Sequence, residues 1–279
     1  MKGRQMRWAS WVICALVVLG PVPRAFAQDL DILRGALPVG PATFTNWSGV
    51  YVGGQWGYSD ANADFSNSTQ APIAYVLRDT ALENVSDPSD LPALTSADHT
   101  GMSYGGFIGY NSQWQNLMLG FEANFNHTTV ALNATSTPIA RSDLSDGLGN
   151  YYTVGISATG TMANLNYLEL RGRAGLILGS FLPYAFIGPA VGVANLNVTA
   201  DVEGTCDSGS TADCSGFAFT ATAGRNSAIL YGGAVGAGLD YAITQNIFLR
   251  GEYEYLRFVE FDNILVAASS VRVGAGFKF

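Results

Sequence analysis

The most constraining feature of this sequence is that apolar and polar residues alternate one by one along most of its length. Beyond residue 27, glycine, serine, threonine, asparagine or a charged residue interrupts every apolar run within a few positions. A membrane-spanning helix needs at least about 18 apolar residues in succession, so none is predicted there. Alternation with a period of two instead indicates β-strands with one apolar face and one polar face.

The composition shows which kind of β protein fits this pattern. Only 13% of the residues are charged, against roughly 25% in an ordinary soluble domain, and the mean hydropathy is +0.18. The chain also contains 33 glycines, 13 tyrosines, 15 phenylalanines and 5 tryptophans. An apolar, aromatic-rich chain that alternates rather than forming apolar runs is typical of a transmembrane β-barrel.

The first 27 residues have the pattern of an export signal. A basic start precedes an apolar stretch too short to cross a bilayer, and Ala25-Phe26-Ala27 is a cleavage site of the small-x-small type. Cys14 lies inside the apolar stretch rather than after it, so a lipoprotein signal is the less favoured alternative. We expect the mature chain to begin at Gln28. Cleavage removes four cations and no anion, which leaves a net charge of −12.

The mature chain divides into a lead, residues 28–46, and a barrel domain, residues 47–279. The lead contains Pro38, Gly40 and Pro41 and is expected to be a periplasmic tether or a small plug near the barrel mouth. Its role is left open. The acidic balance of the mature chain argues against nucleic acid as a partner, because phosphates repel negative charge.

Eight alternating segments are predicted as strands, each long enough to cross a bilayer when tilted. In the third, Leu119 and Phe121 alternate with Gly120 and Glu122. The segments span about 47–65, 99–110, 117–130, 163–177, 183–198, 227–241, 247–259 and 268–279.

The connections between these segments alternate between long and short. The long ones cover about 66–98, 131–162, 199–226 and 260–267, and the short ones about 111–116, 178–182 and 242–246. A soluble sandwich has no reason to segregate them in this way. The pattern predicts an all-β fold: an eight-stranded antiparallel up-and-down transmembrane barrel with short periplasmic turns and long extracellular loops.

Aromatic residues of the outward parity gather at both ends of the predicted strands, as in the two girdles of a membrane barrel. Those near the long loops are Trp56, Tyr58, Phe125, Tyr231, Tyr253 and Tyr255, and those near the short turns are Tyr110, Tyr241, Phe277 and Phe279.

Several charged residues occupy the alternate strand positions that face the lumen, and the barrel is too narrow to leave them solvated. Eight strands enclose a lumen that side chains fill, and an unpaired charge there would be very costly. We count four inward charges of each sign and predict an ion-pair network that plugs the lumen among inward glycines. Its members are Glu122, Glu169, Arg171, Arg173, Arg250, Glu252, Glu254 and Arg272.

Two cysteines survive export, Cys206 and Cys214, and a disulfide that closes a small loop is the expected outcome. The flanking Asp207 and Asp213 leave a metal site as the alternative. It is less favoured because no histidine lies nearby and the close cysteine spacing of structural zinc sites is missing.

Four segments resemble the small eight-stranded outer-membrane proteins of Gram-negative bacteria, in the opacity-protein and OmpA-barrel superfamily. The similarity is greatest to the porin-like major surface protein group, whose opening strand has the pattern Trp-x-Gly-x-Tyr-x-Gly-Gly. The matching stretches are WSGVYVGG at 47–54, LELRGRAG at 168–175, LRGEYEY at 249–255 and VRVGAGFKF at 271–279.

The resemblance implies a location in the outer membrane, with outer-membrane lipid and lipopolysaccharide as surroundings. It implies that the alternating carboxy-terminal residues form the signal read by the outer-membrane assembly machinery. These residues are Val271, Val273, Ala275, Phe277 and Phe279. The long loops imply adhesion, capture of an extracellular ligand or contact with a host surface. A monomer is expected.

An enzyme is not predicted, and neither is a cofactor. A lipid-modifying barrel enzyme remains an alternative, because His99 and His127 lie beside hydroxyl residues near the loop ends of the second and third segments. Neither histidine has the His-x-Ser pattern of the lipid A deacylase barrels. The inward glutamates could also supply acid and base groups, but the matching arginines favour structural pairing.

The predicted loops hold most of the acidic residues, which suggests divalent-cation binding as a further alternative, although no spacing matches a calcium-loop motif. The function we predict is a structural or surface-interaction barrel that supports envelope integrity and binds or adheres through its loops. A narrow porin-like channel for small solutes is the principal alternative.

Overall fold

The computed structural model describes residues 45–91, 93–136, 138–208 and 214–279. The predicted signal peptide, 1–27, and all but the last two residues of the predicted lead, 28–46, lie outside these ranges. The division of the chain into those parts therefore remains a prediction.

Ten strands and three short helical segments make up the described chain. The strands are β1 Gly49–Asp64, β2 Ser96–Trp114, β3 Leu117–Thr128, β4 Leu132–Thr135, β5 Ile139–Ser145, β6 Tyr151–Leu176, β7 Phe181–Ser208, β8 Phe217–Ala242, β9 Ile247–Phe258 and β10 Leu265–Lys278. The helices are α1 Gln70–Leu77 and α2 Ala81–Ser86, followed by a 3₁₀ turn at Pro88–Asp90. In this part of the chain no helix is long and apolar enough to cross a membrane.

Eight of the strands close into a ring of antiparallel neighbours. The order around the ring is β1, β2, β3, β6, β7, β8, β9, β10, and β10 returns to β1. The closing pair matches Trp56 with Val273, while β3 meets β6 with Phe121 opposite Gly172. The predicted eight-stranded up-and-down barrel is confirmed, and closure gives the strands within the bilayer the backbone partners that hydrocarbon cannot provide.

The two faces of the ring follow the alternation of the sequence. Along β9, every outward residue is exposed and every inward residue is buried. Along β3, every inward residue is buried, and the outward residues are exposed except Ala123 and His127, which are partly exposed. All ten aromatic residues assigned to the two girdles are exposed on the outer face. An apolar outer wall bordered by aromatic side chains is the surface that lipid tails and headgroups require.

Three strands are longer than the sequence pattern predicted. β6, β7 and β8 contain 26, 28 and 26 residues, whereas a tilted strand crosses the bilayer in about 9–11. Most of the predicted loops 131–162 and 199–226 are therefore strand. These extensions also alternate, but small or hydroxylated residues replace the apolar residues at the outward positions. Ser157, for example, lies between the buried Ile156 and Ala158.

The extra length forms an extracellular extension with its own apolar core. Val154, Ile156 and Val198 contribute to it from the strands, and Ile73 and Leu77 from α1. On the other side, β4 and β5 pair with the upper half of β6. The extension is thus stabilised like a soluble domain, by apolar side chains packed between secondary-structure elements.

Candidate functional site

The lumen is filled by three stacked layers of side chains. Near the short turns lies an aromatic layer that includes Trp47, Phe107 and Phe248. Charged residues follow in the middle of the barrel. Above them the apolar core of the extension begins at residues such as Leu165 and Phe258.

The lower part of the charged layer is built around Arg250, Arg173 and their shared acids. Arg250 donates from Nη1 to Glu122 Oε2 at 2.8 Å and from Nε to Asp240 Oδ1 at 2.9 Å. Arg173 donates to the same two residues, at 3.1 Å to Glu122 and 2.8 Å to Asp240. The four side chains are at most 1% exposed. Each charge therefore interacts with opposite charge instead of water.

The upper part of the layer joins Arg171 and Arg272 to the glutamates of β9. Arg171 forms a two-pronged contact with Glu252, at 2.9 Å for both nitrogen–oxygen pairs, and also donates from Nε to Glu122 at 2.9 Å. Arg272 donates to Glu252 at 3.0 Å and contacts Glu254. Arg171 thereby links the lower and upper parts into one network.

Tyrosine hydroxyls complete the network. Tyr51 donates to Glu122 at 2.7 Å and Tyr184 to Glu252 at 2.8 Å, while Tyr167 accepts from Arg272 at 3.0 Å. Two of these rings need glycine opposite them, because a Cβ at Gly109 would meet Tyr51 and one at Gly238 would meet Tyr184. The inward glycines therefore make room for large polar side chains in a narrow barrel.

The arginines also lie over aromatic rings. The guanidinium carbon of Arg250 is 3.9 Å from the ring centre of Phe107, and that of Arg173 is 3.8 Å from the ring centre of Tyr184. Such cation–π contacts stabilise the flat face of a buried guanidinium, while its N–H groups donate to the carboxylates.

Glu169 is the least well paired acid of the layer. Its closest guanidinium nitrogen in the described chain is Arg171 Nη1 at 3.5 Å, and its Oε1 has no hydrogen-bond partner there. The side chain is fully buried. Its charge is therefore compensated less than that of the other acids.

All eight residues predicted for the network lie together, but the predicted membership is incomplete. The described network contains five acids and four arginines, because Asp240 joins the four glutamates, and a further inward cation, Lys278, lies outside the network. Asp240 shares the inward parity of Gly236 and Gly238, so the alternation could have identified it. Tyr51, Tyr167 and Tyr184 are also absent from the predicted network, although they occupy the same lumen-facing strand positions as its charged residues.

The remaining predicted residues lie outside the lumen network. Cys206 and Cys214 are joined by a disulfide with a Cα–Cα distance of 5.8 Å. Four of the carboxy-terminal residues assigned to the assembly signal face outward on β10, namely Val271, Val273, Ala275 and Phe277, and the exposed Phe279 follows the end of that strand. Their recognition stays a prediction. Between them the inward Lys278 contacts the carbonyl of Asn46 at the periplasmic mouth.

The histidines do not converge with a nucleophile. His127 lies on the outer half of the wall, where Nδ1 is 2.6 Å from Asn166 Oδ1 and the ring packs on Tyr104. Ser103 faces the lumen, on the other side of the sheet, and His99 pairs with Ala61 in the next strand. The arrangement required for nucleophilic catalysis is not formed by these residues.

Within the described ranges, no three histidine, cysteine or acidic side chains are grouped closely enough to hold a metal ion. Asp207 Oδ2 accepts from Thr153 Oγ1 at 2.5 Å, and Asp213 lies outside those ranges.

Above the membrane, hydrogen bonds from the Ser66 hydroxyl and N–H lower the pKa of Asp64.

The closed eight-stranded ring and its apolar, aromatic-bordered outer wall define the class: a small transmembrane β-barrel of the outer-membrane type. The chain belongs to the outer membrane protein beta-barrel domain family, whose family model matches residues 32–279. It is accordingly a protein of the outer membrane of Gram-negative bacteria.

Several solved structures are similar to this chain. One is the structure of Ail, the attachment invasion locus protein of Yersinia pestis, in complex with the heparin analogue sucrose octasulfate. It has 15% sequence identity and a TM-score of 0.32, and the match covers 83% of this chain and 99% of that chain. Neisserial surface protein A has 16% identity, coverages of 83% and 98%, and a TM-score of 0.31. The amino-terminal barrel domain of Pseudomonas aeruginosa OprF has 14% identity, coverages of 81% and 99%, and a TM-score of 0.30. No curated protein matches the sequence. Similarity at this level supports no inference about function.

Proposed function

We propose that the protein is a non-conducting surface barrel that contributes to the integrity of the outer membrane and binds partners outside the cell. The observation that carries the proposal is the charged layer, in which each of the four arginines contacts at least two acids and no side chain is more than 1% exposed. A lumen filled in this way leaves no continuous water path for ions or solutes. The interaction role then falls to the extracellular extension.

The size of the extension supports a role outside the membrane. The upper halves of β6, β7 and β8, together with α1 and α2, exceed what closure of the barrel needs. A rigid scaffold that raises loops above a surface is a common way to present binding residues. Outer-membrane lipid and lipopolysaccharide surround the wall in this proposal, the assembly machinery reads the carboxy-terminal strand, and the protein acts as a monomer.

Planar-bilayer recording of the purified, folded protein tests the closed lumen and separates this function from a narrow channel. We expect baseline current with only brief, small openings. A steady conductance comparable to that of an open porin would contradict the proposal.

Surface binding requires a separate measurement. Cells that display the full chain are expected to attach to host-cell or matrix-coated surfaces more than cells that display a chain shortened at the tip of the β7–β8 hairpin. Equal attachment of the two strains would contradict the interaction role without affecting the closed lumen. Mass analysis of lipid A with and without the protein is expected to show no change, because His127 and Ser103 lie on opposite sides of the sheet.

A further inference from the structure

One long strand edge of the extension has no strand partner among the residues that the structure describes. The last residue pair between β8 and β9 is Gly232 with Phe258, and the N–H of Val259 donates to the carbonyl of Tyr231 at 2.7 Å. The part of β8 that precedes this pair in the sequence, residues 217–230, pairs with β7 alone in the described chain. Alternate N–H and C=O groups of this segment therefore point away from the sheet without a backbone partner.

The opposite edge of the same extension is covered. β4 pairs with β6 at Leu132 and Met162, and β5 pairs with it at Ile139 and Ile156. Proteins usually cover or blunt exposed edges, because an open edge is a template for another strand. On that side the described sheet ends in two short strands, and β5 carries a bulge and the charged residues Arg141 and Asp143, whereas the β8 edge is one long strand with no described strand beside it.

The open edge also lacks the usual protective residues. The segment Phe217–Asn226 contains no proline, no lysine and a single charged residue, Arg225. Its two phenylalanines and two threonines favour an extended conformation. The positive φ of Ser227, 59°, marks an irregularity only after the segment has ended. Ten residues of uninterrupted strand offer about 33 Å of edge.

A groove runs beside this edge and gives an added strand a place for its side chains. The cavity is about 800 Å³ and lies between α1, the β8 edge and the β9–β10 turn. Tyr75 of α1, Thr222 of the edge and Asp262 of the turn line it. The turn is held by positive φ angles at Asp262 and Asn263, as in tight hairpin turns. The walls of the groove are thus secondary structure rather than loose loop.

The charges around the edge select the partner. Asp201 and Glu203 lie directly across from Thr220 and Ala218 in β7, and Glu260 and Asp262 belong to the neighbouring turn. Arg225 is already paired with Asp262 at 3.5 Å. A second copy of this chain would bring the same acidic side chains to the edge and be repelled. An added strand that carries lysine or arginine would be attracted.

We propose that the edge segment Phe217–Asn226 binds an extended, cationic peptide segment of another protein by β-strand addition, with the side chains of one face of that peptide in the α1 groove. Backbone hydrogen bonds supply the affinity in this mode and the groove supplies selectivity. The inference rests on the proposed interaction role of the extension and names the chemistry of its partner.

Hydrogen exchange of the full chain in lipid nanodiscs tests the proposal, with an alternating lysine–valine octapeptide as the probe and an alternating glutamate–valine octapeptide as the matched control. We expect the lysine peptide to slow exchange of amides within 217–226 at least tenfold, and the glutamate peptide to leave them unchanged. Absence of protection with millimolar lysine peptide, or equal protection by both peptides, would overturn it.

Two sets of variants locate the contact. Neighbouring residues of an edge strand direct their N–H groups to opposite sides. One of the two variants Thr222→Pro and Ala223→Pro therefore removes an N–H group that points away from the sheet, and that variant should keep the melting temperature of the wild type. That variant is expected to lose the protection. The double variant Asp201→Asn with Asp262→Asn should bind the lysine peptide roughly fivefold more weakly, whereas Asp143→Asn on the distant β5 should not. Full protection in the folded proline variant, or equal affinity of the double variant and the control, would contradict the proposal.

The outcomes distinguish this inference from the proposed function. Loss of the peptide result with baseline conductance and normal cell attachment would remove strand addition alone. A conducting barrel that still protects 217–226 with the lysine peptide would remove the closed lumen and leave strand addition in place.

Discussion

Arg250 and Glu122 show what a charge inside this barrel requires. Burial removes the water that would stabilise each ion, at a penalty of several kcal/mol per ion even after relaxation. Glu122 recovers that penalty through three arginines, Arg171, Arg173 and Arg250, and through the hydroxyl of Tyr51. Removal of a single partner leaves the others buried and uncompensated, so individual residues should have large effects on stability.

Replacement of Arg250 by alanine is expected to lower the free energy of unfolding by about 3–5 kcal/mol, because Glu122 and Asp240 each lose a partner without gaining water. Urea unfolding of the folded barrel in micelles, followed by its heat-modifiable gel mobility, measures the change. Arg257→Ala on the exposed face of the same strand is the control and should be nearly neutral. Similar values for the two variants would show that the network does not stabilise the fold.

Glu122 and Glu169 are expected to differ sharply although both are fully buried. Glu122→Gln should cost about 3–5 kcal/mol, since three guanidinium groups lose their shared anion. Glu169→Gln removes the acid that lies farthest from any arginine and leaves four acids for four arginines, so we expect a cost under about 1 kcal/mol. The same urea experiment compares them. A larger loss for Glu169→Gln would contradict the assignment of the excess charge.

Asp64 should give the extension a dependence on pH. Hydrogen bonds from Ser66 hold the pKa of Asp64 below its ordinary value, so the ionised form stabilises the fold above the unfolded-state pKa, and this contribution is lost as the pH falls through the folded-state pKa. Ser66→Ala should raise the pKa of Asp64, whereas Ser66→Thr, which retains the hydroxyl, should not. Carboxyl chemical shifts across a pH titration report both. An unchanged pKa in Ser66→Ala would exclude the hydroxyl hydrogen bond as the cause, because the backbone N–H of residue 66 still donates to Asp64 in that variant.

At the scale of elements, the long β7–β8 hairpin depends on local devices rather than on ring closure. Above Tyr231 it has lost β9 as a neighbour and retains β6 on one side only. Its tip is joined by the Cys206–Cys214 disulfide, which the oxidising environment of an exported protein permits. The tip and the ring should therefore respond separately to perturbation.

The double variant Cys206→Ser with Cys214→Ser is expected to loosen the tip by about 2.5 kcal/mol, the loop-closure value for a loop of this size. Hydrogen exchange should rise at the upper ends of β7 and β8, while the ring strands and the urea midpoint of the barrel stay the same. Reduction of the wild-type protein should reproduce the effect. Loss of the folded ring in the variant would show that the hairpin tip and the barrel unfold together.

At the scale of the whole molecule, three layers of buried side chains occupy successive depths inside the ring: the aromatic layer, the charged layer and the apolar core of the extension. If the proposed closed lumen is correct, each layer has to open before water can pass. The outer wall over the membrane, in contrast, presents exposed apolar residues bordered by aromatic side chains, the surface that lipid requires. Function at this scale is therefore expected outside the membrane.

Phe248→Ala is expected to leave the conductance at baseline although it creates a cavity in the aromatic layer. Phe248 packs against Trp47, Tyr51 and Phe107, and the loss of such a ring costs about 3–5 kcal/mol of stability. The charged layer above it remains closed, so planar-bilayer currents should match those of the wild type while the urea midpoint falls. A steady current in Phe248→Ala would show that the aromatic layer alone closes the lumen.

The sequence by itself determined which side chains face lipid and which face the lumen, because successive residues of a strand point to opposite faces whatever the strand pairs with. That rule placed Glu122 and Arg250 inside and Phe121 and Tyr253 outside. It also predicted the number of ring strands, since the turns interrupt the alternation.

Only the tertiary structure decided which charges meet. Arg250 and Glu122 are 128 positions apart, and their contact depends on the register and tilt that the closed ring imposes. The same is true of the open edge of β8: the alternation of 217–226 is that of any strand, and its lack of a partner follows from β9 ending at Phe258. Pairing between distant segments is a property of the closed sheet, which local periodicity does not encode.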